Sequence, residues 1–263
     1  MQLEKVTQQV IEIAKEAGAF IREQRKTFSA AHIEFKGIND MVSYVDKKAE
    51  EIIVAALQEL LPEAGFITEE KTINKTGERF NWIIDPLDGT TNFIHGLPVY
   101  SVSIALQEYD ELVIGVVYEI NLHECFYAWK SSPAFLNGKV IKVSNSATIG
   151  DSLLATGFPY YDFSKQPAYI ALFTELMKSC HGLRRLGSAA VDLAYTACGR
   201  FDGYYEYNLN PWDVAAGILI VRQAGGDVMN FNGGEECLKS RELLATNGKI
   251  TADMLETIQK HFI

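Results

Sequence analysis

The stretch WIIDPLDGTTNF, residues 82–93, places Asp85 and Asp88 on either side of Pro86 and Leu87 and runs straight into Gly89, Thr90 and Thr91. Proline restricts the backbone here. If a strand ends at Asp85, both carboxylates and the Leu87 carbonyl can turn toward one point. Hard oxygen ligands grouped in this way suit Mg²⁺; without a cation, close carboxylates repel and one pKa rises. Gly89, Thr90 and Thr91 would then offer backbone N–H groups at a helix start, a ready anion site. Adjacent cation and anion sites are what a phosphate ester needs. The same residues also read as a Pro-x-Asp-Gly turn followed by a threonine helix cap, and the stretch alone does not choose.

Other acidic residues are candidates, each with an ordinary structural alternative. Glu69 and Glu70 follow the short apolar run GFIT (65–68) and also read as a solvated charge pair. Asp46 in SYVD reads equally as half of a capping box with Ser43. Asp213 in NPWD suits the first turn of a helix, and Glu206 in GYYE suits an edge strand. Several other chemistries lose support. The chain has no G-x-G-x-x-G, no G-x-x-x-x-G-K-[ST] and no G-x-S-x-G. Its five histidines are dispersed, with none of the spacings of a zinc hydrolase.

The elements that must position these residues follow from periodicity. Val6, Val10, Ile13, Ala17 and Phe20 fall on one helical stripe, as do Val45, Ala49, Ile52, Ile53, Ala56, Leu57 and Leu60, and Pro62 stops the second helix. FKGIND between them reads as a loop. Strand patterns follow at GFIT, FNWII, YSVSIALQ, LVIGVVYEI and ECFYAW, with a hairpin at YDE. They predict an antiparallel sheet flanked by the two helices. Beyond about residue 145 the pattern changes. SLLAT is a strand candidate, residues 165–180 a helix, and SAAVDLAYTACG a helix capped by Ser188 and ended by Gly199. FDGYYEY reads as a strand. NPWDVAAGILIVRQAGG reads as a helix with Asn210 as cap, Pro211 in first position and Gly225 at its end. ELLATN and a C-terminal helix complete the chain. The expected organisation is one compact catalytic unit with an N-terminal half, 1–145, and a C-terminal half, 146–263.

At 263 residues, 48% apolar and 22% charged, the composition is that of an ordinary globular protein able to build a core without disulfides or a structural metal. The net charge of −10 argues against nucleic acid or an anionic membrane as the main partner. Any anionic ligand therefore needs a local positive source. Cys125, Cys180, Cys198 and Cys237 are widely spaced, which suits thiols in a reducing compartment. The charged, helical N-terminus does not read as a signal peptide, and no apolar run approaches the roughly 20 residues of a membrane span. A cytoplasmic location is expected. The NKT sequon at 74–76 is taken as coincidence.

Together, FITEE, WIIDPLDGTTNFIHGLPVYSVSIAL and NPWDVAAGILIVRQAGG resemble the inositol monophosphatase family, from the N-terminal helices to about Gly248. LRRLGSAAVDLAYTACGRFDGYYE looks most like its bacterial members. The resemblance implies an α+β fold, the layered α-β-α-β-α sugar-phosphatase arrangement, as a homodimer often inhibited by Li⁺. It implies two to three Mg²⁺ ions held by Glu69, Asp85, the Leu87 carbonyl, Asp88 and Asp213, with Asp85 bridging two of them. Thr90 and Asp46 would activate the attacking water, with Glu69 counted among the catalytic residues. The Gly89 and Thr90 amides would bind phosphate. Asp88, Gly187, Ser188, Ala189, Glu206 and Asp213 would contact the alcohol. Glu70 receives no metal role, and Lys36 falls where the family has a loop near the third metal.

The implied activity is direct hydrolysis of a small-molecule phosphate ester, myo-inositol monophosphate first. Sister activities on fructose 1,6-bisphosphate, histidinol phosphate or 3′-phosphonucleotides share the same residues. Some bacterial relatives also bind the transcription machinery, which leaves a regulatory role as another reading. Asn210 stands where animal relatives carry His and bacterial ones often Arg. Thr91 stands where 3′-phosphonucleotide enzymes tend to carry Lys, which favours inositol and simple polyol phosphates.

Overall fold

The computed structural model describes residues 2–28, 33–37, 40–159 and 162–263, and for 33–37 and 40–42 the backbone alone. Helices α1 (Leu3–Thr27) and α2 (Tyr44–Leu60) are the expected N-terminal pair. The segment read as a loop instead contributes two strands, β1 (Ile33–Gly37) and β2 (Asp40–Ser43), paired antiparallel with Gly37 opposite Asp40. The turn signal was local to the connection; the residues flanking it pair. Residues 38 and 39, and the Lys36 side chain, lie outside the described residues.

A seven-stranded sheet follows: β3 (Gly65–Thr68), β4 (Phe80–Asp88), β5 (Ser101–Glu108), β6 (Glu111–Glu119), β7 (Glu124–Trp129), β8 (Ala134–Leu136) and β9 (Lys139–Ile141), lying in that order. β3 runs parallel to β4, and the remaining pairs are antiparallel. The last two strands are too short to show in the sequence pattern. Side chains alternate between faces. Trp82, Ile84, Val102, Ile104, Ile114 and Val116 pack toward α1 and α2, whereas Ile83, Ala105, Val117 and Phe126 point the other way. On α1 the buried side centres on Val10, Ala14, Ala17 and Ile21, while Val6, Ile13 and Phe20 are only partly covered. The helix packs on α2 and β6 together, so its apolar face is wider than one stripe.

The second sheet comprises β10 (Leu153–Thr156), β11 (Gly182–Arg184), β12 (Gly203–Tyr207), β13 (Asp227–Met229) and β14 (Glu242–Thr246), in the order β11-β10-β12-β14-β13. Helices α5 (Ala189–Ala197) and α6 (Pro211–Gln223) lie between the two sheets, and α4 (Gln166–Ser179) and α8 (Thr251–Phe262) cover the outer face. Two short helices, α3 (Thr90–His95) and α7 (Cys237–Ser240), complete the set. The result is an α+β stack of five layers, α-β-α-β-α. α6 is buried without a break from Val214 to Val221, as a helix enclosed by sheets on both sides must be. All four cysteines are free thiols. Among the described residues no helix is long and apolar enough to cross a membrane.

Trp82 is wholly enclosed between the first sheet and the helix pair, and its indole N–H has no hydrogen-bond partner. Trp82→Ala should destabilise by about 3–5 kcal/mol in urea unfolding. Trp82→Phe should cost clearly less, because no hydrogen bond is lost; equal losses would contradict this packing.

Candidate active site

The two aspartates of the opening motif are brought to one face by a bulge. In a regular strand, residues three apart point to opposite faces. Along β4, however, Asp85 sits opposite Ser103 and Asp88 opposite Ser101, so three steps on β4 match two on β5. The extra residue turns both carboxylates toward the α5–α6 layer. Pro86, which has no N–H to donate, is tolerated at such a bulge. The strand therefore does not end at Asp85, as the sequence suggested, but runs on to Asp88. The Asp85 carboxylate accepts from the Leu87 amide at 3.0 Å, which holds the bulge closed. Gly89 follows with φ of 97°, a conformation that disfavours any side chain. A Cβ there would also press on the Val99 carbonyl and on Tyr100.

Three helices aim their N-termini at this point, and an acidic residue accepts from a backbone amide at the start of each. On α2, Asp46 Oδ2 accepts from the Ser43 amide and hydroxyl at 2.8 and 2.7 Å, while Oδ1 lies 2.8 Å from Thr90 Oγ1. The capping-box reading and the Thr90 pairing are both present, one per oxygen. Thr90 Oγ1 also lies 3.0 Å from the Leu87 carbonyl, and its single proton serves one acceptor at a time. At α5, Asp88 Oδ2 accepts from Ser188 Oγ at 2.6 Å and from the Ala190 amide at 2.7 Å. At α6, Asp213 accepts from the Asn210 amide at 2.6 Å.

These groups open onto a cleft of about 470 Å³. Glu69, Asp85, Leu87, Asp88, Gly89 and Thr90 form its first-sheet side, and Asp213 closes it from α6. Gly187, Ser188, Ala189 and Glu206 line the opposite side. Asp46 lies behind Thr90, buried. Ser188 faces the cleft, but its hydroxyl is committed to Asp88 and to the Val191 amide. Glu206 accepts from Tyr204 Oη at 2.5 Å and fills the space beside Gly157. A Cβ on that glycine would lie 1.9 Å from Glu206 Oε2.

Crowding and burial push the carboxyls upward together. Asp85 is raised well above the usual range, first by burial and then by the charges of Glu69, Asp88 and Asp213. Burial lifts Asp88 to about 6 against the bonds from Ser188 and Ala190. It lifts Glu206 to about 7, against the bond from Tyr204 and the charge of Arg185. Asp213 rises to about 8, again mainly through burial. Among the described residues, no three such side chains already close on one point as metal ligands do. The fit to a divalent cation lies in the donor chemistry: carboxylates and a backbone carbonyl, all hard oxygen, short of positive charge in one cleft.

Some cleft residues escaped the sequence reading. Asp192, on α5, is buried beneath the cleft with Oδ1 unbonded, its pKa raised by burial and by Glu206 and Asp88. The available signal was a lone carboxylate within the apolar run SAAVDLA. The Arg184-Arg185 doublet of LRRLG divides. Arg184 is exposed, but Arg185 lines the cleft with its guanidinium 5.4 Å from the Phe158 ring centre. Arg241 reaches the Leu209 carbonyl at 2.9 Å and Asn210 Oδ1 at 3.3 Å. It thus brings a cation to the loop where Asn210 itself supplies none.

A stack of two sheets around a helix layer, with an acidic cleft at converging helix ends, defines a sugar-phosphatase architecture. The sequence matches the model of the inositol monophosphatase family over residues 2–262. It is 36% identical over 252 residues to an inositol-1-monophosphatase of Mesorhizobium japonicum, covering 95% of each chain. It is 40% identical over 250 residues to the Nus factor SuhB of Escherichia coli K12, covering 95% of this chain and 94% of that one. The crystal structure of the extragenic suppressor protein suhB from Bartonella henselae superposes with a TM-score of 0.92 at 37% identity, over 97% of this chain and 99% of the other. The chain belongs to the inositol monophosphatase family. Membership supports a phosphatase of this superfamily.

The raised carboxyls carry a pH signature. A carboxyl whose folded pKa exceeds its unfolded value contributes most stability when protonated, and that contribution is lost as pH rises through the folded pKa. With Asp88 near 6, Glu206 near 7 and Asp213 near 8, the metal-free protein should melt at progressively lower temperature between about pH 5 and 8.5. A flat profile after EDTA treatment would contradict the charge crowding.

Proposed function

We propose that the protein is a Mg²⁺-dependent phosphomonoesterase that hydrolyses myo-inositol monophosphate to inositol and phosphate, acting as a homodimer. The observation that carries this is the convergence of Glu69, Asp85, Asp88 and Asp213 on one cleft beside the Thr90–Asp46 pair. Two to three Mg²⁺ ions would be held by those carboxylates and the Leu87 carbonyl, and when bound they supply Lewis-acid charge for the phosphoryl oxygens. The chain's own groups do the rest. The first-turn amides of α3, which have no intrahelical acceptor, and the Gly89 amide receive phosphate oxygens. Thr90, oriented by Asp46, accepts a proton from the attacking water and passes it to that carboxylate. Water adds to phosphorus, the bond to the alcohol oxygen breaks, and that oxygen takes a proton from solvent. Glu206 and the Gly187–Ala189 segment hold the hydroxyls of the alcohol.

A second reading comes from relatives named Nus factor. The complete carboxylate set favours an enzyme, since a purely regulatory protein has no need to keep like charges crowded in a cleft. Sister substrates remain within the same chemistry, so the deciding experiment is a comparison of kcat/KM for inositol 1-phosphate, fructose 1,6-bisphosphate, histidinol phosphate and a 3′-phosphonucleotide.

Inositol 1-phosphate should rank first, with EDTA and Asp85→Asn each abolishing phosphate release; release that persists in EDTA would sink the reading. Thr90→Ala should lower kcat by about 10²–10³ with little change in KM. Gly157→Ala displaces Glu206 and should instead raise KM about tenfold, as steady-state kinetics would show.

A further inference from the structure

One turn beyond Asp46, α2 buries a second carboxylate that the proposed chemistry does not use. Glu50 is fully enclosed. Its Oε2 accepts from the Glu70 amide at 2.7 Å, and its Oε1 accepts from the Thr72 amide and hydroxyl, both at 2.8 Å. All three donors lie in the three residues directly after Glu69. Burying a carboxylate is unfavourable unless its oxygens are bonded, and a helix that merely packs on a sheet is served by apolar side chains, as at Ile53 and Leu57 on the same helix. A carboxylate whose bonds all go to one short segment has that segment as its purpose.

The segment needs such support. β3 ends at Thr68, and Lys71 adopts a left-handed conformation with φ of 55°, which a non-glycine residue avoids unless its surroundings impose it. On its other side, the Glu69 amide donates to the Ile84 carbonyl at 3.3 Å, next to Asp85. Glu69 is thus held between β4 in front and Glu50 behind. The turn also brings Lys71 to the rim of the cleft.

We propose that Glu50 is a positioning residue. By clamping residues 70–72 it aims Glu69 into the cleft beside Asp85, and so sets the strength of cation binding there without touching the cation. One helix then orients both sides of the chemistry, Asp46 through Thr90 and Glu50 through Glu69. The inference rests on the metal role proposed for Glu69.

The test compares the full-length wild type with Glu50→Gln, which preserves size but turns an amide N–H₂ toward a backbone donor. Hydrogen exchange at the Glu70 and Thr72 amides should rise at least tenfold. The midpoint of Mg²⁺ binding, read by isothermal titration calorimetry, should rise about tenfold, the effect of one lost charge-assisted bond. Phosphate release at saturating Mg²⁺ should recover to within about threefold of wild type, as expected when an effect lies in binding rather than in the chemical step. Thr72→Val, an exposed position that loses only the hydroxyl bond, should shift the Mg²⁺ midpoint in the same direction by a smaller factor. It also covers the case in which the Glu50 variant does not fold. Faster exchange with an unchanged Mg²⁺ midpoint would make Glu50 a loop anchor only and overturn the proposal. A wild type whose Tm ignores Mg²⁺ would overturn both this inference and the metal reading beneath it.

Discussion

Like charges have to be held close together in a cleft of low dielectric, and much of the architecture follows from how that repulsion is offset. Asp46, Asp88 and Asp213 each bond the N-terminus of a helix, α2, α5 and α6 respectively. A helix N-terminus carries partial positive charge, so three such ends aimed at one point form a positive lining for acidic residues. The helix-end bonds satisfy part of each carboxylate and leave the rest of Asp88 and Asp213 for the cleft, and the second oxygen of Asp46 for Thr90. The cap reading and the site reading of these residues are therefore not rivals: the same carboxylate bonds a helix end and belongs to the acidic cluster.

The five-layer stack makes this convergence possible. α5 and α6 are enclosed by a sheet on each side, which fixes their axes. α2 lies on the far side of the first sheet and reaches the site only at its start, where Asp46 meets Thr90. Between them, the bulge in β4 delivers Asp85 and Asp88 to the same face. A displacement of any one helix by a residue's length would separate its cap from the cleft, so packing far from the site bears on its chemistry.

Much of this was legible from local patterns. Helices α2, α5 and α6 were visible as amphipathic or apolar runs with recognisable caps, and the strands from β4 to β7 as β-rich runs separated by turns. The shortest strands, β8 and β9, carry too few residues for any period to show, and β1 with β2 was hidden by a turn signal that overrode weak pairing. Within the site, neither Asp192 nor Arg185 could be assigned to the cleft, because each is ambiguous alone. A buried carboxylate in a helix and one half of a basic doublet acquire meaning only beside Glu206 and Asp88. Glu50 went unnoticed for the same reason, since on a charged helix nothing local distinguishes a buried glutamate from a solvated one.

The sequence by itself determined the longer helices, the principal strands, the backbone constraint at Pro86 and the residue types that could bind a cation and an anion, because these depend on neighbours a few positions away. Tertiary structure alone decided which carboxylates meet, that Asp88 joins them by bonding the start of α5, and that Glu50 and Asp192 stand behind the site. Asp46 and Thr90 are 44 positions apart, and Asp88 and Ala190 are 102 apart. Contacts across such spans are set by the packing of whole layers, through burial and electrostatics that no local pattern encodes.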